Sequence, residues 1–252
     1  MNNNNWIASS LSAPRLRPYL ERSNGDQRAA IDLYMWNVEL AGALHEVLSV
    51  VEVVVRNAFD AELRKWNTTM SRPQGPYPAE WALDPAPVVR RTLNEPLSRA
   101  TRNAEKASKK RTNGHPRKGA AVTHDDVVAQ LSFGCWAVLM PSSQPDNRKK
   151  KRLWDSALVQ AFPYAAAPTV KKVMEVTGEE LAYSRLARLV QLRNRVAHCE
   201  PLLDVNVGAR HPGCLRSAGV YQPVDERPSF WDEPGSQCPV QEASPVTLQC
   251  PP

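Results

Sequence analysis

Cysteine is sparse and scattered here: Cys135, Cys199, Cys214, Cys238 and Cys250 are the full set, and no two form a C-x-x-C pair. An odd, dispersed set excludes a zinc ribbon and a disulfide framework, so these thiols read as free. No Gly-rich loop of the P-loop type occurs, which argues against an enzyme acting on free nucleotides. A long apolar run is missing as well. The most apolar stretch, Val47 to Val55, is short and interrupted by Glu52, whereas a spanning helix needs about 20 apolar residues. Met1 to Ser10 lacks a basic patch followed by an apolar core, so no secretory signal is read and a cytosolic, soluble protein with no membrane partner is expected.

What is present is an ordinary globular composition, 42% hydrophobic and 23% charged over 252 residues, which leaves both enzymes and binding modules open. Lys plus Arg exceed Asp plus Glu, giving a formal charge of +6 and a pI near 9.2. That balance suits an anionic partner such as nucleic acid.

The turn residues Ser23-Asn24-Gly25-Asp26 close a leader over 1–24, and Asp26 can cap a helix starting at Gln27. Leu40, Leu44, Val47, Val51, Val54 and Ala58 recur at helical steps, predicting a helix to about Trp66. β-branched crowding at Val50 to Val55 would also suit a strand, but the stripe continues on both sides and no proline falls between Asp26 and Arg72. Pro73, Pro76, Pro78, Pro85, Pro87 and Gly75 make 70–87 an irregular connection. A second helical stretch runs from Val88 into Lys110. Thr123 to Asp126 forms a capping box ahead of an almost wholly apolar helix, Val127 to Met140, stopped by Pro141. Its Phe133, Cys135 and Trp136 are expected to pack in the core. A further helix carries Leu153, Trp154, Leu158 and Phe162 up to Pro163. The last block begins near Thr169, breaks around Thr177-Gly178 and resumes at Glu179, ending before Pro201. An all-α domain over 25–207 is therefore expected. Proline and glycine without amphipathic pattern make 208–252 a disordered tail.

Two stretches concentrate positive charge. Arg99, Arg102, Lys106, Lys109, Lys110, Arg111, Arg117 and Lys118 face the single acid Glu105 within 99–118. Arg148, Lys149, Lys150, Lys151 and Arg152 open a helix, where cations oppose its dipole. Each stretch is either a solvated face or a set of contacts to an RNA backbone.

Chemistry concentrates in Arg193-Asn194-Arg195-Val196-Ala197-His198. On a helix Asn194 and His198 share a face, while Arg193 stands roughly 140° from His198. A second copy crossing about a two-fold axis would bring the two types of group together better than one helix does. Histidine can take or give a proton near neutrality, and arginine offers phosphate a fixed fork of donors. The competing explanation is a helix-end histidine that merely favours the C-terminal dipole.

The segment Leu192 to Leu202 resembles the signature of the Abi-like proteins, bacterial abortive-infection factors of the HEPN superfamily, in which Arg is followed by a polar residue and, a few positions on, His. Arg193, Asn194 and His198 match that pattern. The resemblance extends to Ile31 to Asn37, to Leu48 to Asp60 with Glu52, Arg56 and Asn57, to Leu131 to Trp136, and to Leu153-Trp154 with Phe162-Pro163, covering roughly Pro14 to Val207. It implies a HEPN-type helical bundle, a homodimer pairing two Arg193/His198 motifs, and metal- and cofactor-independent ribonuclease activity in phage defence or toxin–antitoxin settings. An antitoxin or a regulatory RNA would then be a further partner. His198 would be the acid/base, Arg193 the phosphate stabiliser and Asn194 the orienting group. Glu52, Arg56 and Asn57 would support them, with Arg195 and the basic stretches on the RNA backbone. Some relatives carry a modifiable tyrosine two residues after the histidine. Position 200 here is Glu, so that form of control is not implied. The alternative is a HEPN-like module that binds RNA or a protein without cutting.

Overall fold

The computed structural model describes residues 5–142, 148–163 and 178–205, and over these the chain is all-α apart from one minimal hairpin. Within the leader expected over 1–24, the described residues form two helices, α1 (Asn5–Ser10) and α2 (Ala13–Arg22). Asp26 accepts hydrogen bonds from the backbone N–H groups of Arg28 (2.8 Å) and Ala29 (3.1 Å), capping α3 as its turn sequence suggested. Helix α3 (Gln27–Thr69) runs unbroken for 43 residues, through the β-branched stretch at Val50 to Val55.

The described residues divide between Glu39 and Leu40 into two units, a boundary inside α3 where one domain from residue 25 was expected. In the first unit Leu16, Tyr19, Ala30, Ile31 and Leu33 are buried, and Tyr19 meets Tyr34 edge-on at 5.3 Å. In the second, Leu48, Val51, Val55, Phe59 and Leu63 form the buried stripe of α3. Phe59 lies 5.7 Å from Trp136 and 5.4 Å from Phe162, and Trp81 completes the cluster at 6.3 Å from Trp136. Such ring pairs add about 0.5–1.5 kcal/mol beyond their buried area. Phe133, Cys135 and Trp136 are core residues, as expected.

The proline-rich connection holds a two-residue hairpin, β1 (Ser71–Arg72) with β2 (Gly75–Pro76). Buried Asn67 ties the rest of it down. Its amide donates to the carbonyls of Pro78 (2.6 Å) and Asp84 (3.1 Å), and its oxygen accepts from the N–H of Ala86 (2.9 Å).

Three expected helices are divided. The stretch from Val88 becomes α4 (Pro87–Thr92) and α5 (Asn94–Lys110), joined at buried Leu93. Pro96 explains the break, because it has no N–H to continue a ladder from α4 but is tolerated in the first turn of a new helix. The single helix expected over Val127 to Met140 is instead α6 (His124–Val128) and α7 (Phe133–Leu139). Ser132 is extended (φ −74°, ψ 158°) and restarts the helix, while Leu131 stays buried in the turn, so apolar content ran through a break that it could not reveal. Helix α8 (Arg148–Ser156) likewise ends at Ala157, and a 3-10 turn (Leu158–Ala161) carries the chain to Phe162. Helix α9 (Gly178–Ala197) packs on α7. The start expected near Thr169 and the tail from Gly208 lie outside the described residues. No described helix is long and apolar enough to cross a membrane.

Candidate functional site

Helix α9 buries Leu189, Leu192 and Val196, which fixes Arg193, Asn194 and His198 on its remaining surface. The backbone N–H of His198 still bonds to the Asn194 carbonyl at 2.9 Å, so these two residues stand one turn apart on one face, both exposed. The helix then closes on a paired C-terminal motif, Glu200 N–H to Arg195 O (2.9 Å) and Cys199 N–H to Val196 O (3.1 Å). This is the Schellman arrangement, whose C′ residue takes a left-handed conformation usually supplied by glycine. Here Cys199 takes it, at φ 51°. Arg195 is bound into the same structure. Its guanidinium donates to both carboxylate oxygens of Asp204 (3.2 and 2.6 Å) and to the Pro201 carbonyl. The hydrogen bond to Asp204 raises the Arg195 pKa against a smaller opposing effect of burial.

Arg193 turns toward α3. Its Nε lies 3.3 Å from Glu52 Oε2, and Arg56 lies 3.5 Å from Glu52 Oε1. Two guanidinium groups thus share one carboxylate, and Nε of Arg56 is buried without a hydrogen-bond partner. A second fork atom of Arg193 donates to Asn194 Oδ1 at 3.3 Å, which restrains the arginine from its own helix. The structure therefore brings together Glu52, Arg56, Arg193 and Asn194 of the expected site, with His198 exposed one turn on. Asn57 is exposed on α3, beside Val53 and Val50, which are 47% and 55% exposed. As an ion pair alone, Arg193 with Glu52 contributes about 0.5–1 kcal/mol at most, since Arg193 is a third exposed.

A second polar cluster was not anticipated. Asp60 and Arg64 continue the row Glu52, Arg56 along α3 at four-residue steps. That recurrence is the sequence signal that could have found the cluster. Asp60 Oδ1 accepts from Trp81 Nε1 (2.8 Å) and pairs with His124 Nε2 (2.7 Å), and Oδ2 accepts from Arg64 Nε (2.9 Å). Burial works against the charged form of Asp60, yet the hydrogen bonds from His124, Arg64 and Trp81 together outweigh it and lower its pKa. Nδ1 of His124 accepts from the N–H of Ala82 at 3.2 Å, which assigns the proton to Nε2. Asp60, His124 and Asp125 have potential metal-ligating atoms within 4.8 Å of one another. Binding a cation through Nε2 would move the proton to Nδ1, against the Ala82 N–H, and Arg64 already bridges Asp60 and Asp125. The cluster is a structural lock, not a metal centre. His124 is 3% exposed, so its imidazole is closed to solvent.

The basic stretches divide by role. Arg111 and Arg117 both turn onto Asp126 (2.9 and 2.7 Å), whose carboxylate also completes the capping box with Thr123. Hydrogen bonding from Arg117, then from the Thr123 backbone, holds the Asp126 pKa far below the usual carboxylate range. Lys118 Nζ donates to the carbonyls of Arg111 (2.6 Å) and Lys109 (3.4 Å) at the end of α5. Arg99, Arg102, Lys106, Lys109 and Lys110 are exposed on α5. On α8, Arg148, Lys149 and Arg152 are exposed, while Lys150 and Lys151 are half-buried and Lys151 pairs with Asp155 at 2.6 Å. Comparison of the chain with family models, curated proteins and solved structures finds no match.

Proposed function

We propose that this chain is an Abi-like endoribonuclease of HEPN type, acting in phage defence or as a toxin, with Arg193, Asn194 and His198 at its centre. The observation that carries this reading is the placement of Arg193 against Glu52 and Arg56, with Asn194 and His198 exposed on the adjoining turn. Two guanidinium groups on one carboxylate leave surplus positive charge beside a solvent-exposed imidazole. That combination suits a phosphodiester.

In the proposed reaction His198 removes the proton of a ribose 2′-hydroxyl and O2′ attacks the adjacent phosphorus. The P–O5′ bond breaks and the 5′ oxygen leaves with a proton from a second imidazole. The products are a 2′,3′-cyclic phosphate and a 5′-hydroxyl end. Arg193 offsets the charge that gathers on the phosphate oxygens, and Asn194 holds its fork. A homodimer supplies the second imidazole, one His198 taking a proton while the other gives one. Exposed Val50 and Val53, on the side of α3 next to Arg56 and Asn57, support a self-associating face there. Antitoxin or regulatory RNA would act on the same surface.

The test is cleavage of RNA by purified protein in EDTA. The reading expects cutting that falls about 10²–10⁴-fold in His198→Ala, with a comparable loss in Arg193→Ala and a melting temperature lowered by no more than about 4 °C in either. RNA binding without cleavage by the wild type would favour the non-catalytic module instead.

A further inference from the structure

Helix α5 is amphipathic in charge. Leu97, Ala100 and Ala104 bury one side of it, and at 100° per residue Arg99, Arg102, Lys106, Lys109 and Lys110 all fall within an arc of about 100° on the other. All five are exposed, and their Cα positions extend about 16 Å along the axis at 1.5 Å per residue. Of the five, only Arg102 is in an ion pair among the described residues, with Glu95 at 3.0 Å. The neighbouring cations Arg111, Arg117 and Lys118 are occupied by Asp126 and by backbone carbonyls. Like charges this close repel, and among the described residues only the Arg102–Glu95 pair offsets that, so the arc is a surface that an extended polyanion would stabilise.

We infer that the exposed arc of α5 is a docking rail for the phosphate backbone of a nucleic-acid strand, separate from the Arg193 and His198 centre. The arc's other member is acidic, Glu95. The arc carries no aromatic side chain for stacking on bases, so binding is blind to base identity. The same lack disfavours a membrane surface, because an interfacial helix inserts large apolar side chains, and the one leucine of α5, Leu97, is buried in the protein. The rail does not depend on the ribonuclease reading and would hold a strand whether or not it is cut.

The test is fluorescence anisotropy of labelled oligo-uridine and oligo-deoxythymidine across a salt series. It uses full-length protein carrying His198→Ala, so that probe integrity is not at issue. The expected result is binding of both probes, weakened at least tenfold in Lys106→Gln/Lys109→Gln/Lys110→Gln. The slope of log affinity against log salt should fall by about 2, since each phosphate contact to a single strand contributes roughly 0.7. Lys149→Gln/Arg152→Gln on α8 is the comparison and should change the slope less. Unchanged affinity and slope in the α5 triple variant would overturn the proposal. So would binding to phosphatidylserine vesicles that exceeds binding to either strand. Cutting is read separately, on RNA with His198 intact: no cutting there counts against the catalytic reading alone, and unchanged binding in the α5 variant here counts against the rail alone.

Discussion

Helix α3 carries two polar clusters in one four-residue row, Glu52 with Arg56 and Asp60 with Arg64, and they have opposite characters. Asp60 is saturated by Trp81, His124 and Arg64 and lies against buried His124. Glu52 is shared thinly by Arg56 and Arg193 at 3.5 and 3.3 Å, and Arg56 keeps an unpartnered Nε. The same residue types on the same helix therefore serve as a lock in one place and as an under-satisfied, partly open charge cluster in the other. What differs is the number of donors the rest of the chain brings. Saturated polar networks stabilise, whereas surplus charge near solvent is available for a ligand.

The contrast is sharpened first by function. His198→Gln should lower RNA cleavage about 10²–10⁴-fold and leave the melting temperature unchanged. The lock should behave in the opposite way. Asp60→Ala strands the hydrogen-bonding groups of Trp81, His124 and Arg64, and should cost about 3 kcal/mol, seen as a drop of roughly 6–12 °C in Tm. An Asp60→Ala protein as stable as wild type would erase the distinction between the clusters.

Acid should weaken the lock, because Asp60 contributes through its charged form. Asp60 and Asp126 have pKa values lowered in the folded chain, so the unfolded chain binds protons more readily at those sites. Their contribution is complete above the unfolded carboxylate pKa of about 4 and is lost as pH falls further. Urea unfolding from pH 5 downward should show declining stability, with a shallower decline in Asp60→Asn. Glu52→Gln should cost less than about 1 kcal/mol in stability yet change cleavage measurably, because it frees Arg193 and Arg56 from their shared anion. Smallest of all, Cys199→Gly relieves the left-handed residue after His198 and should stabilise by about 0.5–1 kcal/mol, read by thermal melting.

The features legible in the sequence were those set by local chemistry. Asp26 and the Thr123/Asp126 box cap helices where their spacing says they should, and the prolines of 70–87 forbid a long helix. The breaks at Leu93, at 129–132 and at Ala157 were hidden because buried apolar residues continue across each of them. Position 193 was visible as a candidate from its neighbours, and Glu52, across most of the chain, was named beside it only through the family resemblance. Of the lock, only the Asp60/Arg64 spacing on α3 could be read, because His124 and Asp60 are 64 residues apart and joined by tertiary packing. Charge counting likewise treated Arg111 and Arg117 as free until Asp126 was seen to hold both.

The central claim is that the open cluster cuts RNA, and its most direct test is to map RNA ends in cells after induction of wild-type protein and of His198→Ala. New 5′-hydroxyl ends paired with 2′,3′-cyclic phosphate ends, present with wild type and absent with His198→Ala, are the predicted result. The same ends at equal abundance with both proteins, or no new ends with wild type, would contradict it.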